Sequence, residues 1–223
     1  MAAEARPAPP DRPWVMVNMV ASVDGASFGP NGRSAPLSSE TDRRLFHALR
    51  GAADVVLAGA GTVRAENYGA PRGDGEVPRL ATVSRSLALD PEARFFREPG
   101  VPPIVFTTEQ ALAEGQADPR LAVVAEVRAA GHYELDWSVA LQLLHREYGC
   151  RVLLVEGGST LNTQLVTADL VDELRLTLSP LVVGGSSHRV VGPGAPAELR
   201  RYQLADVAED EGFLFLRYLR DRH

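Results

Sequence analysis

Short apolar runs alternate along the chain with amphipathic segments, and this alternation predicts the secondary structure. The apolar runs are rich in valine and leucine, and most have the length of a strand rather than of a helix. The last run alternates apolar and polar residues, which is typical of an antiparallel strand. Strands are predicted over residues 14–21, 54–59, 79–84, 103–108, 121–127, 151–156, 174–183 and 213–219.

Segments with helical spacing lie between several of these strands. The first predicted helix starts after Ser38 or Ser39, either of which can cap it, and ends at Gly51. A second helix is predicted over about 136–148 and a third over 159–168. Strands that alternate with helices in this way predict an α/β sandwich with a mostly parallel central sheet and antiparallel strands on its C-terminal side.

The domain organisation follows from the same pattern. No internal repeat or linker interrupts the chain from residue 14 onward, so residues 14–223 are expected to form a single domain. The first 13 residues, MAAEARPAPPDRP, are rich in alanine and proline and predict a disordered tail. They lack the apolar core of a signal peptide.

Composition narrows the class of protein. The net charge of −6 and a pI near 5.4 argue against binding to nucleic acid or to a membrane surface. The chain has one cysteine and no apolar run that approaches the ~20 residues of a membrane span. All 23 basic residues are arginine. We therefore expect a cytoplasmic protein that holds phosphates with arginines, hydroxyls and backbone N–H groups.

Special residues follow four of the predicted strands. They are SVDG at 22–25, GAGT at 59–62, SRS at 84–86 and EGGST at 156–160. Ligands of open α/β sheets bind at the carboxyl ends of the strands, so four such turns on one rim predict a site of nucleotide size. In the last turn, Gly157 and Gly158 would let a diphosphate approach the start of a helix, and Ser159 and Thr160 add hydroxyls.

The GAGT turn does not complete a Rossmann fingerprint. Gly59 and Gly61 match it, but Arg64 stands at the place of the third glycine. The next strand ends in Ser84 and Arg85 instead of an acidic residue, which favours the 2′-phosphate of NADP over the free ribose of NAD. A plain solvated role for Arg85 remains equally compatible with the sequence.

Two carboxylates also stand at strand ends. Glu156 directly follows an apolar strand, and Asp24 lies in the SVDG turn. Each can accept paired N–H donors from a pyrimidine or pterin ring; an Asp-Gly turn is the simpler alternative for Asp24 and a cap or surface group for Glu156. The five histidines lack the spacing of metal ligands, so no metal is expected.

Together these stretches resemble the pyrimidine reductases of riboflavin biosynthesis. The resemblance is carried by NMVASVDG (18–25), LAGAGTVRAENYG (57–69), TVSRS (82–86) and LLVEGGSTLNTQLVTADLVDELRLTLSPLVVGG (153–185). It implies a dihydrofolate-reductase-like three-layer sandwich like the reductase domain of the bifunctional deaminase-reductase. It also implies NADPH-dependent reduction of the ribosyl group of a 5-amino- or 2,5-diamino-6-ribosylamino-pyrimidine 5′-phosphate to the ribitylamino product, and a homodimer.

The resemblance also assigns roles to particular positions. Glu156 and Asp24 are expected to be catalytic. Cofactor contacts are implied for Val20, Gly59, Gly61, Thr62, Glu66, Ser84, Arg85, Gly157, Gly158, Ser159, Thr160 and Leu161. Substrate contacts are implied for Asn18, Ser34, Arg50, Arg72 and Glu156.

Two departures from the family pattern leave other functions open. Pro36 stands where the bifunctional enzymes usually have a tryptophan, and 66-ENYG-69 replaces an Asp-Asp-Pro. One alternative is therefore an NADPH-dependent reductase of a pterin such as dihydrofolate or of another small heterocycle. The other is a nucleotide-binding protein without catalysis.

Overall fold

A nine-stranded sheet forms the centre of the computed structural model, which describes residues 6–70, 77–115, 117–194 and 198–221. Its order is β5-β4-β3-β2-β6-β1-β7-β9-β8. The seven strands from β5 to β7 are parallel, whereas β9 is antiparallel to both β7 and β8. The strands are β1 (Trp14–Ser22), β2 (Val55–Gly59), β3 (Arg79–Val83), β4 (Ile104–Thr107), β5 (Glu126–Ala129), β6 (Val152–Val155), β7 (Glu173–Ser179), β8 (Tyr202–Asp210) and β9 (Phe213–Arg220).

Helices cover both faces of the parallel part of the sheet. Leu141 and Leu161, from α6 and α7, pack into the core on one face, and Leu49 and Phe95, from α1 and α3, pack into the core on the other. The predicted three-layer α/β arrangement is therefore confirmed. The helices are α1 (Glu40–Gly51), α2 (Ala60–Ala65), α3 (Arg94–Arg97), α4 (Glu109–Ala113), α5 (Leu121–Val124), α6 (Trp137–Tyr148) and α7 (Ser159–Thr167), with a 3-10 turn at Ala35–Leu37.

Three local predictions differ from the structure. The predicted strand at 121–127 is a helical turn, α5, followed by β5, because pairing with β4 begins only at Glu126. The predicted turn at 59–62 leads directly into the helix α2, which begins at Ala60. The predicted strand at 174–183 ends at Ser179. Short apolar runs do not distinguish a strand from a buried helical turn, which explains the first error.

The edge strand β8 was not predicted from the sequence. It pairs only with β9, and most of its side chains are exposed on both of its faces. An edge strand of this kind carries no alternation of apolar and polar residues, so periodicity does not detect it.

The described part of the N-terminal tail has no helix or strand before Trp14, but it is anchored to the domain. Arg6 donates to the buried carboxylate of Glu173 at 2.9 Å. Arg12 donates to both carboxylate oxygens of Asp172, at 2.6 and 2.8 Å. Residues 6–13 therefore lie against the ends of β1 and β7, while residues 1–5 of the predicted disordered tail lie outside the described residues.

The parallel strands bring the predicted turns to one edge of the sheet. The order β3-β2-β6-β1 makes neighbours of the four strands that carry them. Gly59 pairs with Val83, and Leu57 pairs with Val155, so the turns after β2, β3 and β6 begin at the same level. The predicted common rim is therefore present, and it holds the site.

Candidate active site

The glycine turns after β2 and β6 lie against each other. The amide of Gly59 donates to the carbonyl of Gly157 at 3.0 Å. Gly157 and Gly158 have φ angles of +93° and +94°, which side-chain-bearing residues rarely adopt, and a Cβ on Gly157 would meet the sulfur of Met19 at 3.0 Å. The chain itself therefore requires glycine at both positions, independently of any ligand.

A cavity of about 480 Å³ opens between the starts of α2 and α7. Ten of the twelve residues expected to contact a cofactor line it: Gly59, Gly61, Thr62, Glu66, Ser84, Arg85, Gly158, Ser159, Thr160 and Leu161. The other two, Val20 and Gly157, line an adjoining cavity. The structure thus brings the predicted cofactor residues together at one place.

The start of α7 offers hydrogen-bond donors to this cavity. Gly158 precedes the helix without a side-chain cap, and the first helical hydrogen bond runs from the amide of Asn162 to the carbonyl of Gly158. The amides of Ser159, Thr160 and Leu161 come before it and have no acceptor within the helix. Backbone N–H groups with two neighbouring hydroxyls suit a phosphate group.

Two smaller spaces continue from this cavity toward β1 and α1. The first, about 210 Å³, is lined by Asn18, Ser34 and Glu156, and the second, about 470 Å³, by Ser34, Arg50 and Glu156. These are the described members of the expected substrate set, because Arg72 lies outside the described residues. Thr62 and Glu66 line all three spaces and so stand where the expected cofactor and substrate sites meet.

Glu66 ties the loop before α1 to the end of α2. One of its carboxylate oxygens accepts from the amide of Ser34 at 3.0 Å and from the Ser34 hydroxyl at 3.2 Å. The residue directly follows α2 and caps its end. These two bonds fix the distance between Glu66, which lines all three spaces, and Ser34, which lines the two smaller ones.

Glu156 lies in a buried ion pair. Arg50 donates through Nε and Nη2 to the two carboxylate oxygens at 2.7 and 2.6 Å, and the hydroxyl of Tyr68 also donates to Glu156. The Arg50 guanidinium lies 4.1 Å from the centre of the Phe46 ring and 4.9 Å from that of Tyr68. Glu156 lines the two smaller spaces but is only 9% exposed, and these hydrogen-bonding partners compensate its buried charge.

The pKa values of Arg50 and Tyr68, the two side chains that donate to Glu156, follow from this geometry. Burial alone would lower the pKa of Arg50, but the hydrogen bonds and the charge of Glu156 outweigh it and raise that pKa. Burial, and then the negative charge of Glu156, raise the pKa of Tyr68 well above its ordinary value. Both side chains therefore keep their protons as donors to Glu156.

This pairing connects residues that were assigned separately from the sequence. Arg50 was expected to contact the substrate and Glu156 to accept N–H donors of its ring, and the structure joins the two side chains directly. Tyr68 belongs to the ENYG stretch that departs from the family pattern, which was the only signal for it in the sequence.

Asp24 lies outside the set of residues that line these three spaces. Its carboxylate accepts from the Ser22 hydroxyl at 2.5 Å and from the amides of Val183 and Gly184 at 3.1 and 2.7 Å. These bonds lower the pKa of Asp24 to about 2, and the bond from the Ser22 hydroxyl has the largest effect. Asp24 thus lies against the segment that follows β7 and outside the spaces lined by the other residues expected to contact the substrate.

Other cavity residues carried no signal in the sequence. Phe28 and His188 line the 480 Å³ cavity beside the predicted positions, whereas Gln164, which also lines it, belongs to the run from Gly158 for which the family resemblance implied cofactor contacts. His188 comes from the irregular segment after β7, where neither periodicity nor a strand end marks it. Among the described residues, no cluster of His, Cys, Asp or Glu could hold a metal ion, and no helix is long and apolar enough to cross a membrane.

Comparisons with known proteins show the family to which the chain belongs. Residues 13–212 match the RibD C-terminal domain. The 2,5-diamino-6-ribosylamino-4(3H)-pyrimidinone 5′-phosphate reductase of Methanothermobacter thermautotrophicus is 32% identical over 188 residues, which cover 82% of this chain and 85% of the relative. The crystal structure of a pyrimidine reductase-like protein from Corynebacterium diphtheriae aligns with a TM-score of 0.81 at 27% identity, over 96% of this chain and 94% of that one.

A more distant likeness concerns the fold alone. Dihydrofolate reductase from Enterococcus faecalis aligns with a TM-score of 0.53 at 13% identity, over 93% of this chain and 96% of that one. The protein is thus an α/β protein with a dihydrofolate-reductase-like fold. The chain belongs to the RibD C-terminal domain family. The resemblance and the fold class predicted from the sequence are both confirmed.

Proposed function

We propose that the protein is a pyrimidine reductase of riboflavin biosynthesis. It reduces the ribosyl group of a 6-ribosylamino-pyrimidine 5′-phosphate to the ribityl group and takes the hydride from NADPH. One observation carries this proposal: the cavity formed by the glycine turns joins the spaces beside Glu156 through the shared residues Thr62 and Glu66. The name of the Methanothermobacter relative supports the 2,5-diamino form of the ring for this chain.

The protein's own contribution to the reaction is orientation and exclusion of water. The amides at the start of α7 and the Ser159 and Thr160 hydroxyls would hold the diphosphate of the cofactor. NADPH, when bound, would supply the hydride for C1′ of the opened sugar's imine, and water would supply the proton for the imine nitrogen. Glu156, fixed by Arg50 and Tyr68, presents a carboxylate of defined orientation to N–H donors of the pyrimidine.

An NADPH-consumption assay tests this function. The purified protein is given the 2,5-diamino and the 5-amino ribosylamino-pyrimidine phosphates, their phosphate-free forms, and dihydrofolate. We expect NADPH oxidation with a phosphorylated pyrimidine only. Equal turnover of a phosphate-free pyrimidine, or turnover of dihydrofolate, would contradict the proposal, and the absence of hydride transfer in a single turnover would point to a nucleotide-binding protein without catalysis.

Arg85 is the candidate for selecting NADPH over NADH. It is exposed, follows β3 and lines the 480 Å³ cavity together with Ser84 and Arg64. Arg85→Ala should reduce the ratio of the kcat/KM values for NADPH and NADH by about tenfold, because a charge-assisted bond to the 2′-phosphate is lost. Arg64→Ala, which removes the same charge from the same cavity, should affect both cofactors alike. An unchanged ratio in Arg85→Ala would mean that the 2′-phosphate binds elsewhere.

The protein forms a homodimer through the outer face of its C-terminal strands. Leu176 and Leu178 of β7 lie beside Leu216 and Leu214 of β9, and all four are only half-buried. Leu204 and Val207 of β8 extend this face and are each 53% exposed. Contiguous apolar surface of this kind is typical of interfaces. We expect sedimentation velocity to show a dimer and Leu216→Glu to give monomers; a wild-type monomer at micromolar concentration would contradict this.

The cytoplasm as the place of this reaction remains the prediction made from the sequence.

A further inference from the structure

The segment after β7 crosses from the turn of β1 to the start of α7. We call residues 180–194 the crossing segment; it has no helix or strand of its own. Gly184 and Gly185 have successive φ angles of +67° and +68°, so the backbone there depends on external contacts to hold one conformation. The SVDG motif and the glycine pair of the crossing segment are the two sequence features that the proposed chemistry does not use.

Hydrogen bonds fix the first half of the crossing segment to the chain after β1. Asp24 accepts from the amides of Val183 and Gly184, and Ser22 in turn donates to Asp24. Both the amide and the hydroxyl of Ser27 donate to the carbonyl of His188 at 2.8 Å. The amide of Val23 also donates to the carbonyl of Leu181 at 2.9 Å, and the Ser187 hydroxyl to the carbonyl of Phe28 at 3.1 Å, so the crossing segment is attached to this loop at several places.

A second set of contacts fixes the other half to α7. The side-chain amide of Asn162 donates to the carbonyl of Val190 at 2.8 Å, and the amide of Gly192 donates to the Thr163 hydroxyl at 2.9 Å. A Cβ on Gly192 would lie only 3.3 Å from the Cβ of Ser159. The segment therefore packs closely on the helix whose first residues line the 480 Å³ cavity.

The side chain of His188, whose carbonyl belongs to the first set of contacts, forms part of the wall of the 480 Å³ cavity. Its ring meets the ring of Phe28 edge to face, with 5.9 Å between the centroids, and both residues line the cavity. Ser27 holds the carbonyl of His188 directly, and the turn at Val183 and Gly184, four to five residues earlier, fixes the part of the crossing segment that leads to it. That turn is held by an ionised carboxylate, since the pKa of Asp24 is lowered to about 2.

We propose that Asp24 is a positioning residue for the cofactor: it fixes the crossing segment and thereby sets the His188 wall of the cofactor cavity. This inference rests on the proposed function, because that function assigns the cavity to NADPH. Asp24 then acts at a distance, through the backbone of the crossing segment, and contacts neither the cofactor nor the pyrimidine.

Asp24→Asn tests the proposal. Asparagine keeps one acceptor oxygen but places an NH₂ group where the second oxygen was. One of the two amides, that of Val183 or that of Gly184, therefore loses its acceptor, and the turn is held less firmly. The dissociation constant for NADPH, measured by fluorescence, should rise about tenfold, while kcat at saturating NADPH changes less than twofold. Hydrogen exchange at Val183 and Gly184 should become faster in the folded protein.

Asp54→Asn is the matched control. Asp54 is also exposed and accepts from two backbone amides, those of Arg151 and Val152, each at 2.8 Å, but at the opposite edge of the sheet. Both amides bond to one oxygen, Oδ2, which asparagine can keep, so Asp54→Asn removes the carboxylate charge with little loss of hydrogen bonds and should leave the NADPH dissociation constant unchanged. Equal changes in the two variants would overturn the proposal, because Asp24 would then act only on stability.

A double-mutant cycle separates positioning from direct contact. If Asp24 acts by setting the position of His188, Asp24→Asn should raise the dissociation constant for NADPH little further in a protein that already carries His188→Ala. Additive effects would overturn the proposal. If Asp24→Asn does not fold, Ser22→Ala replaces it in the cycle, since it removes the hydroxyl that donates to the Asp24 carboxylate at 2.5 Å.

The same measurements distinguish failure of this inference from failure of the proposed function. A wild-type protein that binds no NADPH would remove the cofactor assignment itself, whatever Asp24 does. A wild-type protein that binds NADPH, with Asp24→Asn and Asp54→Asn indistinguishable, would remove only the role of Asp24.

Discussion

Glu156→Gln should destabilise the protein by about 3 kcal/mol and should greatly reduce turnover of the pyrimidine. The substitution leaves the buried Arg50 guanidinium without its counter-charge, and removing one member of a buried ion pair costs more than the pair contributes. Arg50 and Glu156 are 8% and 9% exposed, so water compensates little. Urea unfolding measures the first effect. NADPH affinity should change far less than kcat/KM for the pyrimidine, because the α7 amides remain in place.

Glu126→Gln provides the comparison for stability. Glu126 also pairs with an arginine, Arg79 at 2.5 Å, but its side chain is 36% exposed, and such pairs contribute roughly 0–1 kcal/mol. If Glu156→Gln were no less stable than Glu126→Gln, the buried pair would not have the role assigned to it. Equal losses of pyrimidine turnover and NADPH affinity would contradict the assignment of Glu156 to the substrate.

A second variant separates the two roles of Glu156. Replacing the pair with similar apolar volume, as Arg50→Met with Glu156→Met, should recover stability relative to Glu156→Gln, because no unpaired charge remains buried. Tyr68→Phe in the same chain removes the hydroxyl that would otherwise lose its acceptor. Turnover of the pyrimidine should stay low in this variant. Recovery of turnover together with stability would show that Glu156 serves only the fold.

The rim of the sheet was predictable from the sequence for a physical reason. Buried parallel strands appear as short apolar runs, and the carboxyl ends of such strands must share one edge. The strand pattern alone therefore places Gly59, Ser84 and Gly158 together. The edge strand β8 lacks this signal, because its side chains meet solvent on both faces.

The partners of the rim residues were not predictable in the same way. The sequence indicated that Glu156 needs a partner, but Arg50 lies 106 residues away, and only the position of α1 against β6 brings them together. Asp24 was assigned to the pyrimidine for its motif, whereas its bonds run to Val183 and Gly184, some 160 residues later. Local patterns show that a polar group requires a contact; the tertiary fold decides which contact it makes.

Gly158→Val should abolish NADPH binding, with a dissociation constant at least about 100-fold higher. A φ of +94° is strongly unfavourable for a β-branched residue, so the turn must change its backbone and move the start of α7. The strain should also destabilise the fold by about 1–3 kcal/mol. Isothermal titration with NADPH measures the first effect and thermal unfolding the second.

Gly61→Ala separates backbone strain from contact with the cofactor. Gly61 lines the same cavity, but its φ is not in the left-handed region and a Cβ there has no atom of the described residues within 4 Å. The variant should fold like the wild type, so any loss of NADPH affinity reports contact between the new methyl group and the cofactor. Gly158→Val must move the start of α7 and with it the backbone amides that would donate to the diphosphate. If a folded Gly158→Val variant nevertheless bound NADPH with wild-type affinity, the diphosphate would not bind at α7.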